Sequence, residues 1–207
     1  MSSPHRTKLT AKGAATRRRI VEGAAAEIRA RGAAATTLDD IRARTATSKS
    51  QIFHYFPGGK EELLYAVAAR EADRVLQDQE PHLSDLSTWQ SWRDWRDAVV
   101  LRYRHQGVDC PLGVLVTELG RTTPAAQALT GRLIEQWQQA LRTGIRRMQD
   151  GGAIDRRLDA DRTAAALVAA VQGGVVILMS TGGITHLEAA LDTTLSLLRR
   201  STPPPAT

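Results

Sequence analysis

Apolar residues recur at helical spacing along most of this chain, and that periodicity is the feature that most restricts its fold. Runs rich in Val, Ile or Thr that alternate with polar residues, the pattern typical of strands, are missing. The chain has 207 residues, 42% of them hydrophobic, which is enough to bury a core. The sequence therefore predicts an all-α fold of about nine helices.

Glycines, prolines and capping residues mark where the predicted helices begin and end. Gly32 ends the first helix, Pro81 ends the fourth, and Pro111 stands at a favoured first-turn position of the sixth. The predicted helices cover residues 16–31, 37–45, 48–56, 60–80, 88–106, 110–121, 123–150, 163–184 and 187–200.

The positive charge of the chain is concentrated near its N-terminus. Residues 1–60 contain 12 Lys or Arg against 4 Asp or Glu, whereas residues 61–207 contain 16 against 18. A concentrated basic region is the electrostatic footprint expected for a protein that binds a polyanion. A solvated basic tail is the alternative interpretation.

Cysteine content and the N-terminal sequence bear on the compartment. The single cysteine, Cys110, excludes an internal disulfide framework and suits a reducing cytoplasm. The N-terminus lacks an apolar signal segment. We therefore expect a cytoplasmic protein. Cys110 itself is either an inert thiol or a redox sensor.

The stretch from Ser48 to Phe56 predicts a short helix with two different faces. Ser48 can cap this helix, and Gln51, three positions later, can reach back to the cap. Ile52, Phe53 and Phe56 recur at helical spacing and are expected to anchor it on a core. The groups left to point outward are Lys49, Ser50, Gln51, His54 and Tyr55.

A second short helix precedes this one. It starts at Thr37, with Asp40 at the third position after the cap and Leu38 and Ile41 facing inward. Two short helices separated by three or four residues, the second with an exposed polar face, indicate a helix-turn-helix, whose second helix enters the DNA major groove.

Residues between Thr16 and Leu64 match, in order, the pattern of a known family. They are Thr16, Arg17, Ile20, Ala24, Ala25, Gly32, Thr36, Thr37, Ile41, Ser48, the run 52–56 and the run 60–64. This part of the chain resembles the N-terminal domain of the TetR family of one-component transcriptional regulators. The form of residues 56–63 is similar in particular to the LmrA/YxaF-like branch.

The resemblance implies a three-helix DNA-binding domain followed by a helical domain for ligand binding and dimerisation. The implied layout is a flexible basic arm over 1–13, the helix-turn-helix domain over 14–60, the ligand-binding and dimerisation domain over 61–200, and a flexible tail over 201–207. It further implies a repressor that binds a pseudo-palindromic operator as a homodimer and is released by a small apolar or aromatic ligand. A DNA-binding protein without an effector, or a membrane-anchored regulator, are the alternatives.

Two positions depart from the family pattern. Thr45–Ala46–Thr47 stands where the family usually has Ala-Gly-Val, and Ala lacks glycine's easy access to positive φ. We therefore expect a tighter or slightly different turn, which would alter the tilt of the reading helix. Phe53 replaces a common Tyr and removes a hydroxyl that could bond a phosphate.

The predicted DNA contacts fall into two groups. Lys49 and Gln51 are expected at base edges, because Lys can donate to guanine and Gln can pair with adenine, with Ser50 and His54 beside them. For Gln51 a purely capping role is the alternative. Phosphate contacts are expected, by resemblance or by charge, from Thr37, Ser48, Tyr55, Lys60, Arg17 and Arg18. A solvated face is the alternative for the arginines.

Tryptophans three residues apart suggest a second site in the C-terminal part. They either belong to the core or line a ligand cavity, and both can hold together. The predicted ligand-binding residues are Trp89, Trp92, Trp95, Tyr103, Leu115, Glu118, Trp137, Met148 and Gln172.

Catalytic and cofactor-binding patterns are not found. The five histidines are scattered, and Gly58–Gly59–Lys60 lacks the spacing and the preceding strand of a phosphate loop. The sequence therefore predicts no enzyme activity, no metal and no cofactor.

Residues 163–184 carry no charge and are long enough to span a bilayer. Gln172, the Ala and Gly content, and Gly182–Gly183 favour a buried helix instead. The following segment, 187–200, places leucines on one face. We expect the last two helices to form the homodimer interface, with operator DNA and an effector as the other partners and no membrane.

Overall fold

The computed structural model describes residues 9–33, 35–108 and 124–200. Within these ranges it contains eight α-helices, one short 3₁₀ turn at His82–Ser84 and no strand, which confirms the predicted all-α class. The helices are α1 Ala11–Arg31, α2 Leu38–Thr45, α3 Lys49–Tyr55, α4 Gly59–Gln77, α5 Trp89–Gln106, α6 Pro124–Asp150, α7 Ala160–Thr181 and α8 Thr185–Arg200. The helix predicted over 110–121 lies outside the described residues.

The chain divides into two compact units, Met1–Ala69 and Arg70–Thr207. The division falls inside α4, some way beyond the boundary that the sequence suggested between residues 60 and 61.

The N-terminal unit is built from α1, α2, α3 and the first part of α4. Its core side chains, all with at most 1% exposure, are Ile20, Ala24, Ala25, Ile28, Ile41, Ile52, Phe56 and Leu63. α1 begins at Ala11, five positions before the predicted start, because the Thr10 hydroxyl accepts a hydrogen bond from the Gly13 amide at 3.2 Å and caps the helix there.

A buried carboxylate links α1 to α2. Glu27 is almost fully buried, and its Oε1 accepts a hydrogen bond from Arg44 Nε at 2.5 Å. Arg31 lies 3.4 Å from its other oxygen. Because removing one partner of a buried ion pair leaves an uncompensated charge, these contacts fix how the two helices pack.

The C-terminal unit buries Trp92, Trp95 and Trp137 in its core, which α5, α6, α7 and α8 form. Trp92 and Trp95 meet edge to face, with ring centroids 5.9 Å apart. Trp95 donates from Nε1 to Gln79 Oε1 at 2.7 Å, and Gln79 Nε2 donates in turn to the Val75 carbonyl at 2.7 Å.

α7 packs against α6 and α8, and a glycine permits its closest approach. A Cβ added at Gly174 would lie 2.6 Å from Leu187 Cα, so any larger residue would push α8 away. α7 is also long and apolar enough to cross a membrane, a test that core helices of soluble proteins pass as well.

Candidate nucleic-acid interface

The N-terminus of α3 is fixed by a capping box. The Ser48 hydroxyl accepts from the Gln51 amide at 3.1 Å, and Gln51 Oε1 accepts from the Ser48 amide at 2.9 Å. This reciprocal arrangement stabilises a seven-residue helix that would be marginal alone.

The capping box determines what Gln51 can offer to DNA. A bidentate pair with adenine requires both the amide oxygen and the amide nitrogen, and the oxygen is engaged by Ser48. The capping role considered for Gln51 is therefore present in the structure. Its exposed Nε2 is left as a hydrogen-bond donor.

Two of the three expected anchors of α3 are buried. Ile52 and Phe56 have 1% and 0% exposure, whereas Phe53 is 40% exposed, so its prediction as a core anchor is wrong. The reason is angular. At 100° per residue, Phe56 lies about 40° from Ile52 around the helix, but Phe53 lies about 100° away.

The remaining side chains of α3 form its outer face. Lys49, Ser50, Gln51 and His54 are exposed, and Tyr55 is half-buried. The Tyr55 ring packs edge to face against His54 with centroids 4.8 Å apart. A Cβ added at Gly13 would lie 3.5 Å from the Tyr55 hydroxyl, which places that hydroxyl beside the start of α1.

The turn between α2 and α3 keeps a left-handed residue although it contains no glycine. Ala46 has φ 48° and ψ 45°. Thr45 Oγ1 donates to the Ile41 carbonyl at 2.7 Å and lies 2.7 Å from the Thr47 hydroxyl, and both threonines are buried. The threonines on either side thus hold Ala46 in a conformation that an alanine rarely adopts.

Gly23 on α1 makes room for this turn. A Cβ added at Gly23 would overlap the Thr45 methyl group. Close packing of α1 against the end of α2 therefore depends on the absence of a side chain at this position.

The N-terminus of α2 carries a second capping box. Asp40 Oδ2 accepts from the Thr37 amide at 2.9 Å and from the Thr37 hydroxyl at 2.6 Å, and Arg31 donates to Oδ1 at 2.9 Å. The Thr37 hydroxyl, then its amide, and the nearby Arg31 charge together lower the pKa of Asp40 from its ordinary value of 3.8. Thr37 would have to release Asp40 to donate its hydroxyl proton to a phosphate.

The predicted cationic phosphate contacts differ in how firmly they are held. The Arg17 guanidinium lies 5.0 Å above the Phe56 ring centroid, a cation–π contact, while Arg18 is exposed. Lys60 is half-buried in the first turn of α4.

The predicted ligand-binding residues lie in the C-terminal unit. Trp92, Trp95, Tyr103, Trp137 and Met148 are buried in its core, and Trp89 and Gln172 are half-buried. Leu115 and Glu118, like Cys110, lie outside the described residues.

Three buried indoles in this unit differ in hydrogen bonding. Trp95 donates to Gln79. The sequence did not predict Gln79 as this acceptor, because a single glutamine near the end of a helix forms no recognisable pattern. Trp92 Nε1 and Trp137 Nε1 have no hydrogen-bond partner among the residues the structure describes. Within that part of the chain, no three His, Cys, Asp or Glu side chains converge as a metal site.

The sequence matches two family profiles. Residues 20–67 match the bacterial regulatory proteins of the tetR family, and residues 88–194 match the tetracyclin repressor-like C-terminal domain. The chain belongs to the TetR family. It is therefore a transcriptional regulator with a helix-turn-helix DNA-binding domain and not an enzyme. Its assignment to the LmrA/YxaF-like branch stays a prediction.

Relatives of this protein agree with its assignment to the TetR family. A helix-turn-helix-type transcriptional regulator of Mycobacterium tuberculosis is 26% identical over 184 residues, which cover 83% of this chain and 88% of the relative. A TetR transcriptional regulator from Chloroflexus aurantiacus is 27% identical with a TM-score of 0.76, covering 90% of this chain and 96% of its own. A TetR regulator from Haloarcula marismortui shares the fold, with a TM-score of 0.80 at 16% identity, covering 92% of this chain and 100% of its own.

Proposed function

We propose that this TetR-family regulator is a cytoplasmic repressor, which binds a pseudo-palindromic operator as a homodimer and releases it when a small apolar or aromatic effector binds the C-terminal unit. The observation that carries the DNA-binding part is the outer face of α3, where four neighbouring polar side chains are exposed on a helix fixed at its N-terminus by a capping box.

The proposed DNA contacts follow from that face. Lys49 donates to a guanine edge, and Gln51 contributes one donor through Nε2 while its oxygen stays in the capping box. Ser50 and His54 lie at the centre of the face, farthest from the buried Ile52. The phosphate contacts are those of Thr37, Ser48, Tyr55, Lys60, Arg17 and Arg18, which set register.

Proposed dimerisation rests on apolar side chains left uncovered on the last two helices. Val176 and Ile177 on α7 are 46% and 36% exposed, and Leu197 on α8 is 56% exposed. Two copies pairing through α7 and α8 would bury them in a four-helix bundle. Each copy then presents one α3 to one half-site, about 34 to 36 Å from the other.

The effector proposal rests on the two buried indole N–H groups, of Trp92 and Trp137, that have no acceptor among the described residues. Buried tryptophans usually find a partner, and an unmade hydrogen bond there costs about 1 to 3 kcal/mol. A bound aromatic molecule that carries an acceptor would remove this cost. This effector would release DNA only to the extent that it binds more tightly to a dimer conformation in which the spacing of the two α3 helices does not match the half-sites.

Selection from a random duplex library, followed by fluorescence anisotropy, tests the DNA part. For the wild type we expect one enriched sequence with two-fold symmetry. Lys49→Ala should alter the base preference. Lys60→Gln should bind all sequences more weakly, and the dependence of its affinity on salt should have a slope lower by about one. Arg162→Ala, on the exposed surface of α7, is the control and should leave both unchanged. Absence of any enriched sequence would reject the operator proposal.

The effector part is tested by screening aromatic carbonyl compounds for release of the selected duplex. We expect compounds that release DNA to lose potency against Trp92→Phe or Trp137→Phe, because those variants lack the indole N–H. Trp95→Phe is the matched control, since its N–H already has Gln79 as acceptor. Equal potency against all three variants would remove the indoles from the site.

A further inference from the structure

Phe53 is the one large apolar side chain on the outer face of α3. The residue is 40% exposed, while its apolar neighbours in the helix pattern, Ile52 and Phe56, are fully buried. Lys49, Ser50 and His54 surround it on the helix surface and are polar. An apolar ring therefore stands within the set of side chains proposed to enter the major groove.

The position of the ring is defined by its own helix and by the start of α4. Phe53 lies one turn after Lys49, about 40° away around the helix, so the two share one flank of the outer face. A Cβ added at Gly59 would lie 3.5 Å from Phe53 Cε1, so the ring packs beside a backbone that carries no side chain. Because Gly59 has φ 67°, this position favours glycine and leaves the ring edge open.

The chemistry of the ring restricts what it can recognise. Phe has no hydrogen-bonding group, so it cannot bind a phosphate oxygen or the donors and acceptors of a base edge. The thymine 5-methyl group is the one apolar group that the major groove displays. Contact between the ring and that methyl removes both from water.

We propose that Phe53 is a specificity-determining residue that recognises a thymine through its 5-methyl group. The proposal rests on the operator binding proposed above. Four helical residues rise about 6 Å, so the thymine is a different base from the one contacted by Lys49 and lies in the same half-site.

The test uses the highest-affinity duplex selected from the random library and a series of copies in which each dT is replaced in turn by dU. This replacement removes only the 5-methyl group. At one position of the half-site, we expect a single dU substitution in one half-site to weaken binding of the wild-type protein about fourfold, the effect of burying one methyl group. The same substitution should have no effect on binding by Phe53→Ala.

Controls separate readout from folding. Arg162→Ala, an exposed change on α7, should keep the fourfold difference between dT and dU. Phe53→Leu keeps an apolar side chain and should retain part of that difference, and it serves as the second variant if Phe53→Ala does not fold by circular dichroism.

The outcomes distinguish this proposal from the operator proposal. If no duplex is enriched, operator recognition itself is rejected. If an enriched duplex binds tightly but no dU substitution weakens it, or if the difference persists in Phe53→Ala, operator binding stands and thymine recognition by Phe53 is rejected.

Discussion

Ala46 adopts a left-handed conformation that costs an alanine about 1 to 2 kcal/mol relative to glycine, before the extra chain entropy of glycine is subtracted. We expect Ala46→Gly to stabilise the N-terminal unit by about 1 kcal/mol, as a shift of its urea unfolding midpoint. Ala43→Gly, an exposed change inside α2, is the control and should destabilise by a similar amount. Equal effects of both changes would show that Ala46 is not strained.

Gly23 offers a test of the packing beneath the same turn. Gly23→Ala should destabilise the N-terminal unit by about 1 to 3 kcal/mol, because the new methyl overlaps the Thr45 methyl. The double variant Gly23→Ala, Thr45→Ser should recover most of this loss, since serine lacks the methyl but keeps the hydroxyl. Gly131→Ala, where an added Cβ meets nothing within 4 Å, should not destabilise the protein. Failure of the double variant to recover stability would locate the strain elsewhere.

The contacts of an individual residue could be predicted where they depend only on neighbours within one helical turn. The Ser48–Gln51 spacing predicted the capping box, since both partners lie within one helical turn. The exposure of Phe53 was not predicted, because apolar character alone does not determine on which side of so short a helix a residue lies. Left-handed Ala46 was missed for another reason: the buried threonine contacts that hold it depend on how α1 packs.

At the scale of the element, the N-terminus of α2 depends on an ionised carboxylate. Hydrogen bonds from Thr37, followed by the Arg31 charge, hold the pKa of Asp40 below its ordinary value of 3.8. A lowered folded-state pKa contributes stability that is present above the unfolded-state pKa and is lost as the pH falls through the folded-state pKa. The contribution therefore begins to fall at about pH 4 and is lost as the pH decreases further.

Unfolding midpoints measured between about pH 2 and pH 6 test this dependence. The N-terminal unit of the wild type should lose stability over the acidic part of the range, and Asp40→Asn should lose less. Thr37→Val, which removes the hydroxyl that donates to Asp40, should also flatten the profile. A profile for Asp40→Asn parallel to that of the wild type would assign the acid sensitivity to other groups.

Helix existence was predicted better than helix boundaries. Ends set by a single residue agree closely, such as Gly32 after α1, Thr88 before α5 and Asp150 at the end of α6. The start of α1 was placed too late, because the apolar pattern begins only at Ile20 while the helix begins at its cap, Thr10. The first turn, Ala11 to Ala14, contains only Ala, Lys and Gly, so it leaves no pattern of large apolar residues to detect.

For the whole molecule, the uncovered face of α7 and α8 leads to a test of dimerisation. Ile177→Glu places a charge in the proposed interface and should shift the protein from dimer to monomer in sedimentation equilibrium. Operator affinity should fall with it, since two half-sites are no longer held together. Gln136→Arg, a charge change at an exposed position of α6, should leave the dimer intact. A monomeric wild type, or a dimeric Ile177→Glu, would reject this interface.

The family and the all-α class could be predicted because the helix-turn-helix pattern is local and ordered along about 50 residues. The roles of the tryptophans could not. Their spacing predicted one helical face, but whether an indole N–H has an acceptor depends on residues far away in the chain, such as Gln79 for Trp95.

The exposed apolar side chains of α7, Val176 and Ile177, also link the lifetime of the protein to its abundance. A chain that covers Val176 and Ile177 only with a second copy gains folding free energy by mass action, so its melting temperature rises with protein concentration. Newly made copies at low abundance would then be the least stable and the most exposed to proteolysis. A cell that holds few copies of such a regulator would replace them continuously, and the level of repression would respond quickly to changes in synthesis.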